Sequence, residues 1–134
     1  MIDSSAILAI LFDEPEAAAC AAAIGETAER LISAANYVET GTVLAGRAKL
    51  EERHEAASDL EAFLAAFRVE IAAITAEDAR LALTARLRYG RGFGTRGGLN
   101  FGDCFAYALA KRHSARLLFV GDDFSLTDIE PALQ

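Results

Sequence analysis

The chain has 134 residues, 53% of them hydrophobic, with 20 acids against 13 Lys and Arg and a net charge of −7. This length fits one domain spanning 1–134, the apolar content excludes a disordered chain, and the acidic balance excludes a general polyanion-binding surface while leaving room for a local basic patch. No apolar run approaches the ~18 residues of a membrane span, and the opening MIDSS lacks the basic start of a secretory signal, so a cytoplasmic protein with no membrane partner is expected.

In chain order, residues 1–3 read as a first strand and 5–12 as an apolar helix broken at DEPE. A second helix over 16–25 is expected to stop at Gly25, a common helix terminator. Residues 29–34 form a short strand and 36–48 a helix. The stretch 51–68 is amphipathic, with Leu60, Phe63, Leu64 and Phe67 at i, i+3, i+4, i+7 spacing. A strand over 69–75 leads into a helix over 76–90, where Thr75 and Asp78 have the spacing of an N-terminal cap. A Gly- and Arg-rich loop follows, then a helix over 100–112, a buried strand over 115–121 and a closing turn. Strands alternating with helices predict an α/β fold: a parallel sheet of four or five strands with helices on both faces, and ligands at the carboxyl ends of the strands.

Three acids stand alone in otherwise uncharged stretches: Asp3 in 1–12, Glu39 in 31–46 and Asp103 in 97–110. Asp122 and Asp123 directly follow the last strand. Burying an unpaired carboxylate is costly, so isolated acids at strand ends and helix starts need a compensating partner. Several carboxylates drawn together stay ionised only if a cation joins them. An acid-rich, His-poor set suits a hard cation such as Mg²⁺, with Mn²⁺ as an alternative, and such ions support phosphodiester cleavage. The competing reading makes Asp3 and Asp103 helix-start acids that complement the helix dipole, with Glu39 an ordinary surface residue.

The segments MIDSSAILAIL, NYVETGTVL, LNFGDCFAYALAK and LLFVGDDFSLTDI resemble, in order, the acidic segments and closing motif of the PIN-domain family. In particular, they resemble the toxin component of VapBC-type toxin–antitoxin pairs, and the resemblance covers almost the whole chain. It implies a PIN-like three-layer fold and a Mg²⁺-dependent endoribonuclease in which metal-activated water cleaves RNA. It also implies that Asp3, Glu39 and Asp103 hold the metal, that a fourth acid comes from Asp122 or Asp123, that the protein is a homodimer, and that a VapB-type antitoxin silences it.

The acid-free run RLRYGRGFGTRGG carries Arg86, Arg88, Arg91 and Arg96 just before the Asp103 helix. Arg91 and Arg96 are candidate RNA-phosphate contacts, with Tyr89 or Phe93 available to stack on a base; the alternative is a solvated loop whose arginines pair with helix acids. His54 and His113 read as surface residues, and Cys20 and Cys104 as core thiols. Cys104 belongs to an apolar stripe with Phe101, Phe105, Ala108 and Leu109. The apolar positions before Gly25 and on 60–67 are either core or a dimer face. Two rival functions remain. Phosphotransfer through an aspartyl phosphate needs a lysine after a late strand, where neither Lys49 nor Lys111 falls. A non-catalytic PIN-like module that binds RNA or protein would lack an essential acid.

Overall fold

The computed structural model describes residues 1–93 and 97–133. Six α-helices surround a row of short parallel segments: α1 (Ser4–Leu11), α2 (Ala17–Glu26), α3 (Ala34–Arg47), α4 (Glu55–Phe67), α5 (Ala76–Tyr89) and α6 (Phe101–Arg112). Four of the helix starts have a local cause. The side chains of Asp3, Ser33, Thr75 and Asn100 cap α1, α3, α5 and α6, and the last two form reciprocal capping boxes with Asp78 and Asp103. The expected helix over 51–68 is split, because a 3₁₀ turn at Leu50–Glu52 precedes α4. Helix α2 runs to Glu26, one residue past the expected stop at Gly25.

The sheet is sparser than the sequence suggests. Among the described residues only β1 (Leu31–Ser33) and β2 (Glu70–Ala72) form a ladder, parallel, with Ile32 opposite Ile71. The expected strands at 1–3 and 115–121 shrink to single parallel bridges, Ile2 to Ile32 and Ile2 to Leu118, and Leu117 bridges Pro131 at the far edge. The segments still make one parallel row, ordered 71, 32, 2, 118, 131. The amide of Asp3 donates to Leu118 O (2.9 Å) and that of Leu118 to Met1 O (2.8 Å), which locks the centre. Chain order runs outward in one direction from Ile2, then returns to its other side at Leu118. That reversal is where the carboxyl ends of an open α/β sheet leave a crevice.

Alternation along the short segments sends side chains to opposite faces. Met1 and Leu117 join Ala82, Ala85, Tyr107 and Leu109 of α5 and α6 in one apolar cluster. Ile2, Ile32 and Leu118 join Ile7, Ile24, Leu60 and Leu64 of α1, α2 and α4 in the other. The result is the expected three-layer arrangement. Cys20, Ile24, Leu60, Phe63 and Leu64 are buried within this chain, so those positions are core and not a dimer face. Asp78 and Arg112 tie α5 to α6 through a buried ion pair (2.6 Å). Among the described residues no helix is long and apolar enough to cross a membrane.

Candidate active site

Four of the five acids singled out by the sequence line one cavity of about 160 Å³ at the crevice: Asp3, Glu39, Asp103 and Asp123. Each arrives from a different element. Asp3 follows the central segment and caps α1; its Oδ2 accepts from Ser5 N (2.9 Å) and Ser5 Oγ (2.6 Å), and it is 3% exposed. Glu39 lies on the second turn of α3, which begins directly after β1 with no intervening loop. Its Oε2 accepts from Ser4 Oγ (2.7 Å) and Asn36 Nδ2 (3.2 Å). Asp103 sits in the first turn of α6; its Oδ2 accepts from Asn100 N (2.6 Å), and it is 5% exposed. Asp123 enters from the turn after Leu118 and pairs with Arg91 (3.1 Å) on its solvent side. Asp122, its neighbour, is exposed and outside the cavity lining, its carbonyl accepting from Ser125 N and Oγ in the turn.

Both readings of Asp3 and Asp103 therefore hold at once: they cap helices and they face the cavity. Capping does not discharge the electrostatic cost. Burial pushes the Asp103 carboxyl up to about 7, and the nearby charges of Asp3, Asp123 and Glu39 add to the rise against the lowering bond from Asn100. Burial likewise raises Asp3, with Glu39 contributing, although the Ser5 bonds oppose it. Among the described residues the cavity lining contains no Lys, Arg, His or Cys, and Arg91 approaches it through its pair with Asp123. Its donor set is carboxylate and hydroxyl oxygen, which fits a small hard cation. Among the described residues no three acid, His or Cys side chains gather closely enough to make a ready-formed ligand cluster. The hydrogen bonds above engage one oxygen each of these two acids, Oε2 of Glu39 and Oδ2 of Asp103.

The basic loop is less available than its sequence suggests. Arg86 donates to Leu99 O (2.5 Å) and lies over the Phe93 ring, while Arg88 lies over Tyr89. Tyr89 is buried against Tyr107 and cannot stack on a base; Phe93 is exposed. Arg91 is exposed but paired with Asp123, and Arg96 lies outside the described residues. Phe101 also departs from expectation. It is 71% exposed, edge-on to Phe105, while Cys104, Ala108 and Leu109 of the same expected stripe are buried. Cys104 donates to Asn100 O, and burial pushes its thiol up to about 11, as befits an inert core residue. His54 and His113 sit beside Glu55 and Glu29 at the surface.

The sequence offers Ser4 and Ser5 as donors to Asp3; Ser5 fills that role, while Ser4 bonds Glu39 instead, and neither the Asn36 bond to Glu39 nor the Arg91–Asp123 pair is foreseen. Asn36 had one available signal: it lies three residues before Glu39, on the same helical face.

The PIN domain family matches residues 1–130. Ribonuclease VapC of Mycolicibacterium smegmatis is 41% identical over 129 residues, 96% of each chain. This chain belongs to the PIN-domain family, among the VapC ribonucleases. Two solved structures share the PIN fold at low identity. A toxin–antitoxin complex from Klebsiella pneumoniae aligns with a TM-score of 0.71 and 16% identity, covering 99% of this chain and 97% of that one. Mycobacterium tuberculosis VapC20, described as a sarcin–ricin loop cleaving toxin, aligns with a TM-score of 0.72 and 17% identity, covering 96% and 94%. The resemblance drawn from the acidic segments is thus borne out for family and fold.

Proposed function

We propose that this PIN domain is a metal-dependent endoribonuclease, the toxin of a toxin–antitoxin pair, and that its 134 residues act as one catalytic domain. The observation that carries the reading is the convergence of Asp3, Glu39, Asp103 and Asp123, from four separate elements, on one crevice poor in positive charge. In this reading Asp3, Glu39 and Asp103 hold Mg²⁺, or Mn²⁺ in its place, and Asp123 is the fourth acid. The cation, when bound, supplies a polarised water and neutralises charge on the scissile phosphate. Asp3 and Asp103 bring that charge-hungry environment from rigid helix starts. Ser4 and Asn36 hold Glu39 in place. Arg91, one loop away, steers the RNA backbone once released from Asp123.

The names of the similar proteins support RNA as substrate and an antitoxin as partner; that the antitoxin is of VapB type and that the working assembly is a homodimer are further parts of the proposal. A cytoplasmic location accords with two free, buried cysteines. The test is cleavage of mixed cellular RNA by the purified protein, freed of any antitoxin, in Mg²⁺, against EDTA and against Asp103→Asn. Discrete fragments that vanish in both controls are expected. A folded protein that neither cleaves RNA nor binds Mg²⁺ would overturn the proposal and favour a non-catalytic binding module.

A further inference from the structure

The deepest polar residue beside the crevice is not an acid. Asn36 is completely buried, and its Nδ2 has four acceptors in reach: Asp3 Oδ1 (3.3 Å), Ser4 Oγ, Glu39 Oε2 and Gly102 O (3.2 Å each). These belong to the cap of α1, to α1 itself, to α3 and to α6. An amide nitrogen has two hydrogens, so it sits central to all four and is shared among them. We propose that Asn36 is the positioning residue of the acidic crevice: one neutral amide, seated where three helices meet, sets where Asp3 and Glu39 present their oxygens to a divalent cation. This rests on the reading of the crevice as the nuclease site.

The amide's orientation is itself fixed. Ser33 Oγ donates to Asn36 Oδ1 (2.5 Å) and accepts from Asn36 N (3.1 Å) as the cap of α3. With Oδ1 engaged, the NH₂ group has to face the acids. The neutrality of the amide matters as much as its place. A lysine or arginine here would neutralise the carboxylates and compete with the cation, while an apolar side chain would leave Asp3 Oδ1 with no donor among the described residues. An amide supplies hydrogen bonds while leaving the negative charge intact.

The test compares wild type with Asn36→Leu, which keeps bulk but removes the donor, and Ser33→Ala, which keeps the amide but removes what orients it. Three quantities are read: Mn²⁺ affinity by calorimetry, kcat and KM for RNA cleavage, and the folded fraction by circular dichroism in EDTA. Asn36→Leu is expected to weaken Mn²⁺ binding roughly tenfold or more and to lower kcat by a similar factor, with KM within about twofold. Ser33→Ala is expected to do the same to a smaller extent. Variants that match wild type in Mn²⁺ affinity and kcat overturn the proposal. So do losses that merely track the folded fraction; if Asn36→Leu does not fold, Ser33→Ala decides by the same criteria. Wild type that binds no Mn²⁺ and cleaves no RNA would instead sink the nuclease reading on which the proposal stands.

Discussion

Replacing Asp103 by Asn should inactivate the protein and, without metal, make it more stable. The carboxyl is held near pH 7 by burial and three neighbouring acids, against an ordinary value of about 4. At about 1.4 kcal/mol per tenfold change in proton affinity, keeping it ionised at pH 8 costs about 4 kcal/mol at face value. Water entering the open cavity screens part of this, leaving about 2 kcal/mol. An unfolding entropy of about 2.1 cal/mol/K per residue over 134 residues converts that to a Tm about 7 °C higher for the variant. The sign follows from linkage. The folded state binds this proton more tightly than the unfolded state, so the stability contributed by Asp103 is full below about pH 4 and is lost as pH rises through about 7. At pH 5 the gap should shrink to about 3 °C. Asn keeps a side-chain oxygen for the bond from Asn100 N, so the cap of α6 survives. The assay is thermal unfolding of both proteins in EDTA at pH 5 and pH 8, repeated at pH 8 in saturating Mg²⁺. In Mg²⁺ wild type should gain more than the variant. A variant no more stable than wild type at pH 8, or a gap equal at both pH values, would refute the charge argument.

A methyl group at Gly102 would collide with the Glu39 carboxylate, the mobile end of a long side chain. Gly102→Ala should therefore fold with a Tm within about 3 °C of wild type yet lose about tenfold or more in kcat; unchanged cleavage would mean that Glu39's placement is not critical. Asp78→Ala removes both the Arg112 pair and half of the α5 capping box. Denaturant unfolding at pH 7 should show a loss of about 2 kcal/mol. Burial raises Asp78, but bonds from Arg112 and Thr75 outweigh it and hold the carboxyl below the usual range. The difference should accordingly persist above about pH 4 and fade as pH falls through the depressed value. Cys104→Ala should cost about 1 kcal/mol through a small cavity and leave cleavage within twofold of wild type; a large loss of kcat would contradict the reading of Cys104 as an inert core thiol.

The carboxylates were legible because charge is informative when it stands alone. Asp3, Glu39 and Asp103 each interrupt a long uncharged run, and around Asp3 and Asp103 most of that run is buried. The Thr75–Asp78 box was legible for a different reason, since capping is set by residues three apart and needs no tertiary context. Asn36 escaped notice because a neutral side chain leaves no gap in a charge pattern; its role depends on Ser4 and Gly102, 32 and 66 residues away. Phe101 was misread because helical spacing gives a face without saying where that face ends, and the first residue of α6 lies beyond the packed layer. The central strands were overestimated for a similar reason: the segments 1–3 and 115–121 record burial in the sheet plane and say little about how many ladder bonds form.

The centre of the sheet joins segments more than a hundred residues apart. The amide of Asp3 reaches Leu118 O, and Ile2 lies between β1 and Leu118, so one wall of the crevice is synthesised well before the other. Contacts so distant in sequence carry the full entropy of closing the intervening loop and form late. A growing chain on the ribosome can assemble α1 to α4 around β1 and β2, yet it has neither Asp103 nor Asp123 to set against Asp3. The topology thus acts as a timer: a ribonuclease gains a complete cutting site only when the segment carrying Asp103 and Asp123 is free to dock beside Asp3.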